Sequence, residues 1–146
     1  MFLKGKCALI TGSTSGIGLA YARALAAEGA TLVINGFGEA GAIAAEVSGL
    51  TAASGAPAIH VDADLTRRDG VEALMAAAAE AFGGVDILIS NAGMQHVAPV
   101  EEFPVEKWDA IIALNLTAAF DAARLAVPYM KAQGWVGSSP PPAPIR

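Results

Sequence analysis

Thr11-Gly12-Ser13-Thr14-Ser15-Gly16-Ile17-Gly18 is the segment from which the rest of the chain is read. It follows an apolar run, residues 7–11, with the length and composition of a strand. It opens residues 17–28, which read as a helix. Gly12 permits a tight turn, Gly16 lets a ligand approach the backbone, and Gly18 lets helix and strand pack closely. The first N–H groups of a helix have no partner within it, and the dipole places partial positive charge behind them. A strand, a glycine loop and a helix in that order therefore make a cradle for a diphosphate. An ordinary Gly/Ser turn is the plain alternative, and the flanking sequence decides between them.

Working outward, short β-like runs alternate with alanine-rich helical segments. The strands are predicted at residues 7–11, 31–35, 58–61 and 86–90. The helices are predicted at 17–28, 39–54, 67–82 and 105–131. This alternation is that of a parallel sheet with crossover helices, and right-handed crossovers put the strands in the order 3-2-1-4. The fold class is α/β, a Rossmann-type doubly wound sheet that is incomplete, its later strands missing. A ligand belongs in the crevice at the carboxyl ends of strands 1 and 4. In the first helix Ile17, Ala20, Tyr21, Ala24 and Leu25 form one apolar stripe, expected to face the sheet. Gly29 stands where a left-handed C-terminal cap belongs, and Asp69 and Glu72 lie where the third helix's dipole favours acids.

The 146 residues suit one small domain: residues 1–135 as a nucleotide-binding half-domain, with 136–146 as a tail. Pro140, Pro141, Pro142 and Pro144 predict a disordered or polyproline-like tail. Much of the 54% hydrophobic content is alanine in helical stretches, and apolar runs such as 76–79 and 85–89 are too short to span a bilayer. A net charge of −5 argues against nucleic acid and against an anionic membrane as partner. The N-terminus lacks the pattern of a signal peptide, and Cys7 is a lone cysteine, so a reducing, cytoplasmic setting is expected. No metal site is expected.

The spacing Thr-Gly-x-x-x-Gly-x-Gly at 11–18 resembles the cofactor loop of the short-chain dehydrogenase/reductase family. Three further motifs follow in the family's order. Asp64-Leu65 matches the site where the family's Asp contacts adenine. Asn91-Ala92-Gly93 matches the motif that supports the sheet beside the nicotinamide ribose. Asn115 matches the Asn of the family's catalytic Asn-Ser-Tyr-Lys tetrad. The resemblance runs from about Lys4 to Trp135. It implies cofactor contacts from Gly12, Ser13, Thr14, Ser15, Gly16, Ile17, Gly18, Asp64, Leu65, Asn91, Ala92 and Gly93, and a catalytic role for Asn115. Asp64 also suits a turn cap, whereas Asn115 is a poor helix former and calls for a special role.

NADP needs a cation near the end of strand 2 or in the glycine loop, and neither Asn35-Gly36-Phe37-Gly38-Glu39 nor Ser15 supplies one. NAD is therefore the expected cofactor, with Asn35 or the backbone at Gly36 and Phe37 replacing the usual ribose-binding Asp. Residues 32–38 and 91–104 further resemble the family's bacterial D-3-hydroxybutyrate dehydrogenases. That likeness implies a small hydroxy-acid substrate, oxidised to acetoacetate, whose carboxylate meets Gln95. It also implies homo-oligomeric full-length relatives. His96 and His60 read as structural, and Phe103, Trp108 and Met75 as packing residues.

The family's Tyr-x-x-x-Lys pair does not occur: Leu25 follows Tyr21 at that spacing, and Gln133 follows Tyr129. Together with the Gly/Ser/Pro tail, this reads as a truncated or frameshifted product. Strand 4 is then expected to be a bare edge, the last helix short of packing partners, and the chain alone inactive. The other readings are another short-chain reductase, such as 3-oxoacyl-carrier-protein reductase, a non-catalytic NAD-binding module, or a non-functional fragment.

Overall fold

The computed structural model describes residues 1–134; the tail from 135 onward, including the proline run, lies outside the described residues. Four strands form one parallel sheet: β1 (Cys7–Ile10), β2 (Thr31–Asn35), β3 (Ala58–Val61) and β4 (Ile87–Ile89). Their order is β3-β2-β1-β4, the expected doubly wound arrangement. Around it lie α1 (Gly16–Ala27), α2 (Ala40–Ser54), α3 (Arg68–Phe82), α4 (Val105–Ile112) and α5 (Ala118–Ala132). In register, Ile10 stands beside Ile34 and Ile89, so the strands' carboxyl ends share one rim.

β1 and β2 are buried along nearly their whole length, as central parallel strands covered on both faces must be. Successive side chains alternate between two cores. Ala8, Ile10, Leu32 and Ile34 pack with Ala22 and Ala26 of α1 and Leu50 of α2. Cys7, Leu9 and Val33 pack with Val71, Leu74 and Met75 of α3 and with Ala118, Ala122 and Ala126 of α5. Beneath the second core, Asp86 is buried and joins strand to strand. Its Oδ2 accepts the Cys7 N–H at 2.8 Å, Lys6 Nζ lies 3.3 Å from its Oδ1, and its own N–H donates to the Cys7 carbonyl. Burial, then the Asp86 charge, pushes the Cys7 thiol up to about 12. It is protonated and inert at neutral pH.

The rotational setting of α1 corrects the sequence reading. Gly18, Leu19, Ala22 and Ala26 face inward, whereas Ile17 is 70% exposed and Ala20, Tyr21 and Ala24 also lie outside. A Cβ on Gly18 would strike the Gly12 carbonyl, so position 18 must face the sheet and 22 and 26 follow it one turn at a time. In an alanine-rich helix that backbone contact outweighs the hydrophobic pattern.

The last predicted helix is also more structured than expected. α4 passes into a π-turn (Ala113–Thr117) and then into α5, which contains Pro128. The span Val105–Ala132 is 28 residues, with an 18-residue window of mean hydropathy 1.5, long and apolar enough to cross a membrane by length and composition. It is far longer than the apolar runs at 76–79 and 85–89. Here its small residues dock on α3 and the sheet, and it buries Asp121, whose Oδ1 lies 3.1 Å from Arg68 and 3.5 Å from Arg124. Val105, Trp108, Ile112, Leu116, Phe120 and Val127 face outward. Trp108, expected as a packing residue, is 58% exposed. Its ring meets Phe103 edge-on, and Phe103 in turn meets His96. Met75 is in the core as read.

Candidate functional site

The loops after β1 and β4 are clipped together at the rim. Thr11 Oγ1 accepts the N–H groups of Asn91 at 2.9 Å and Ala92 at 3.0 Å. Asn91 Nδ2 donates back to the Thr11 carbonyl at 3.1 Å and the Gly12 carbonyl at 2.9 Å. Gly12 has φ +61°, and a Cβ there would stand 2.8 Å from Ala92 Cα. Three features of the sequence, Thr11, the glycines and Asn91, therefore converge on one backbone junction. Thr11 was missed as a site-building residue; a threonine ending a strand beside a glycine is the signal that could have found it.

Above the junction α1 opens towards a cavity. Ser15 is extended, with no side-chain cap on the helix, and the first intrahelical bond is Leu19 N–H to the Ser15 carbonyl. The N–H groups of Gly16, Ile17 and Gly18 precede it and have no acceptor within the helix. Gly16 has φ +57°, and no protein atom lies within 4 Å of where its Cβ would be. The cavity, about 350 Å³, is lined by Gly12, Thr14, Ser15, Gly36, Phe37, Asp64, Asn91, Ala92 and Gly93, among others. A neighbouring cavity of about 590 Å³ shares Gly36 and Phe37 and continues along α2 past Ala40, Ile43, His60 and Asp62. Such sizes suit small-molecule sites.

Three of the expected contact residues have side chains engaged within the protein. Ser13 is fully buried: its Oγ donates to the Ile10 carbonyl at 2.6 Å, and its N–H donates to the Asn35 carbonyl at 2.6 Å. It laces the glycine loop to β2 and has no donor left for a ligand. Asn35 is 2% exposed, and its Nδ2 donates to the Val61 and Ala63 carbonyls. Its amide nitrogen ties β2 to β3, so the amide is not free to turn towards a ribose. Leu65 is buried in the core beside Val71. Asn35 and Leu65 still line the 350 Å³ cavity, whereas Ser13 does not.

Thr14, His60 and Asp64 each have a defined partner near the cavities. Thr14 Oγ1 donates to the Phe37 carbonyl, which holds the glycine loop against the β2 end. His60 is satisfied locally, its Nε2 2.8 Å from the Gly36 carbonyl. Asp64 is exposed at the cavity, and its Oδ1 accepts both the N–H and the hydroxyl of Thr66. Those bonds hold its carboxyl below the usual carboxylate range, so it is an anion at neutral pH as well as a turn cap.

Asn115 sits in the π-turn and pairs with one backbone unit in both directions. Its Oδ1 accepts the Met94 N–H and its Nδ2 donates to the Met94 carbonyl, each at 2.9 Å. With these two bonds it positions the loop after β4. Gln95, next in that loop, is exposed and outside the lining of the two cavities. Asn115→Ala is expected to speed hydrogen exchange at Met94 N–H about tenfold by removing both bonds. An unchanged rate would show that the loop is held by other contacts.

Comparison with known proteins places this geometry in a lineage. The short chain dehydrogenase family model matches residues 6–138. D-beta-hydroxybutyrate dehydrogenase of Cupriavidus necator is 53% identical over 133 residues, which are 91% of this chain and 51% of that protein. The Rhizobium meliloti protein of the same name is 50% identical, over 89% of this chain and 50% of its own length. The crystal structure of L-sorbose reductase from Gluconobacter frateurii, complexed with NADPH and L-sorbose, superposes with a TM-score of 0.85 at 37% identity. That match covers 90% of this chain and 50% of the reductase. The chain thus spans about half the length of the curated relatives it matches. With the glycine cradle, the 3-2-1-4 sheet and the family match in agreement, the chain belongs to the short-chain dehydrogenase family.

Proposed function

We propose that these residues form the nucleotide-holding half of an NAD-dependent dehydrogenase that oxidises D-3-hydroxybutyrate to acetoacetate. The observation that carries this reading is the open start of α1, with the exposed Gly16 backbone and no cap, at a cavity rimmed by the ends of β1, β2 and β4. These residues fit a dinucleotide. The N–H groups of Gly16 to Gly18 and the Ser15 hydroxyl hold its diphosphate, and the Asp64 turn faces the adenine side. Asn91, Ala92 and Gly93 border the nicotinamide ribose. When bound, the nicotinamide supplies the hydride acceptor. Asn115 fixes Met94, and with it the start of the segment that offers the Gln95 amide to a substrate carboxylate. Neither cavity has Lys or Arg in its lining, which favours NAD over NADP. The substrate rests on the Gln95 segment and on two relatives half-identical to this chain. The outward stripe on α4 and α5 supports a homo-oligomeric full-length protein, which the same reading places in the cytoplasm.

Neither tyrosine has a lysine four places on, so the 146 residues alone are expected to bind NAD without turnover. Calorimetric titration with NAD, alongside an assay of NADH formation from 3-hydroxybutyrate, tests both parts. A folded chain with no NAD binding would overturn the cofactor reading. NADH formation by this chain alone would overturn its need for further residues.

A further inference from the structure

We propose that Asp121, acting through Arg68, is a positioning residue that sets the Asp64 turn at the adenine side of the cradle, an inference that rests on the nucleotide reading above. Each member of this pair stands where its own element disfavours it. Asp121 belongs to the buried face of α5, whose Ala118, Ala122 and Ala126 pack with Val71, Leu74 and Ala78 of α3. It is fully buried, and neither carboxylate oxygen has a hydrogen-bond partner among the described residues. An apolar side chain in that seam would avoid the desolvation a carboxylate suffers, so stability alone does not account for it. Arg68 is the first residue of α3, where the helix dipole opposes a cation. The two meet across the seam, with Arg68 Nη1 3.1 Å from Asp121 Oδ1. Arg124 lies 3.5 Å from the same oxygen, but it is on α5 itself and ties nothing across. Arg67, the other cation at this helix start, is forked onto Asp69 of its own turn at 3.0 and 2.6 Å. Arg68 therefore carries the charge link between α3 and α5.

The first turn of α3 passes that restraint to Asp64. The Arg67 N–H donates to the Asp64 carbonyl at 3.3 Å, and a Cβ on Gly70 would strike the same carbonyl. Helix start and turn are thus in backbone contact and shift together. Asp64 lines the cavity, and its carboxylate is fixed in turn by the Thr66 N–H and hydroxyl. The helical run that carries Asp121 also carries Asn115, whose amide clasps Met94 in the same cavity lining. One run of helix therefore holds two walls, Met94 through Asn115 and Asp64 through Arg68. A dinucleotide that touches both walls gains affinity when their separation is fixed before it arrives.

The experiment is calorimetric NAD titration of the full chain as wild type, Arg68→Gln, Asp121→Asn, Asp64→Ala and the Asp64→Ala/Arg68→Gln double variant. Amide exchange at Thr66 and Arg67 is measured alongside, without ligand. Arg68→Gln and Asp121→Asn are each expected to weaken NAD about fivefold and to speed both exchanges. In the Asp64→Ala background, Arg68→Gln should change NAD affinity less than about twofold, because the group it positions is gone. A general loss of stability would not produce that non-additivity. If Asp121→Asn does not fold, the half-exposed Arg68 supplies the deciding variant. The proposal is overturned if Arg68→Gln binds NAD as wild type does, leaves both exchanges unchanged, or loses as much affinity without the Asp64 carboxylate as with it. Those outcomes leave the cofactor reading standing. If wild type binds no NAD, the cofactor reading falls and this inference falls with it.

Discussion

Gly18→Ala is expected to destabilise the chain by about 3 kcal/mol and to abolish nucleotide binding, because the added methyl meets backbone and has nowhere to move. It would press on the Gly12 carbonyl and stand 2.6 Å from Asn91 Nδ2, the atom that joins the β1 and β4 loops. Relief requires α1 to lift from the sheet, which breaks the Asn91 bonds and uncovers Ala22 and Ala26. Urea unfolding reads the first effect and NAD calorimetry the second. Gly16→Ala is the informative contrast. Its Cβ would meet no protein atom, and the only intrinsic penalty is the positive φ, roughly 1–2 kcal/mol. It should therefore remain folded and lose affinity, since the methyl enters the space left for the diphosphate. Equal stability losses in the two variants would refute the distinction between a packing glycine and a ligand glycine.

The second large effect is at Asp86, away from the cradle. Asp86→Ala is expected to cost about 2–3 kcal/mol, since it leaves the buried Cys7 N–H without its carboxylate acceptor and removes the Lys6 ion pair. Asp86→Asn keeps an acceptor of the same shape and should cost about 1 kcal/mol. Chemical unfolding at pH 7 compares the two; a loss as large in Asn as in Ala would assign the effect to charge and not to the hydrogen bond. The same neighbourhood imposes a pH dependence. The folded Cys7 thiol lies above its ordinary value of 9.0, at about 12, so the neutral thiol stabilises the fold fully below the ordinary value. That contribution is lost as pH rises from about 9 towards 12. Asp86→Asn removes the lesser of its two causes, so the alkaline loss should still begin near the ordinary value but be smaller and finish at lower pH, while burial keeps the thiol raised.

Much of the site was legible in the residues because it is written in backbone requirements. Glycine at 12 and 16 reports a positive φ, and glycine at 18 a contact too close for any side chain. Each demand is local, or involves the next element along the chain. Asn91 was legible only through the Asn-Ala-Gly motif, since the Thr11 and Gly12 carbonyls that its amide meets lie far away in the sequence. The roles of Ser13, Asn35 and Leu65 were not legible. Each belongs to a true motif, yet whether a side chain points at the ligand or into the wall depends on neighbours 20 or more residues away, such as Asn35 for Ser13 and Val61 for Asn35.

The sequence by itself determined the doubly wound order of the sheet, the cradle and the family, since hydrophobic period, glycine placement and crossover handedness are properties of short segments. Only the tertiary structure decided which face of α1 is covered, where the last helix widens to let Asn115 clasp Met94, and that Arg68 reaches across to Asp121. Alanine-rich helices carry too weak an amphipathic signal to set their own rotation. That setting comes from a close backbone approach in the assembled molecule, Gly18 against the Gly12 carbonyl.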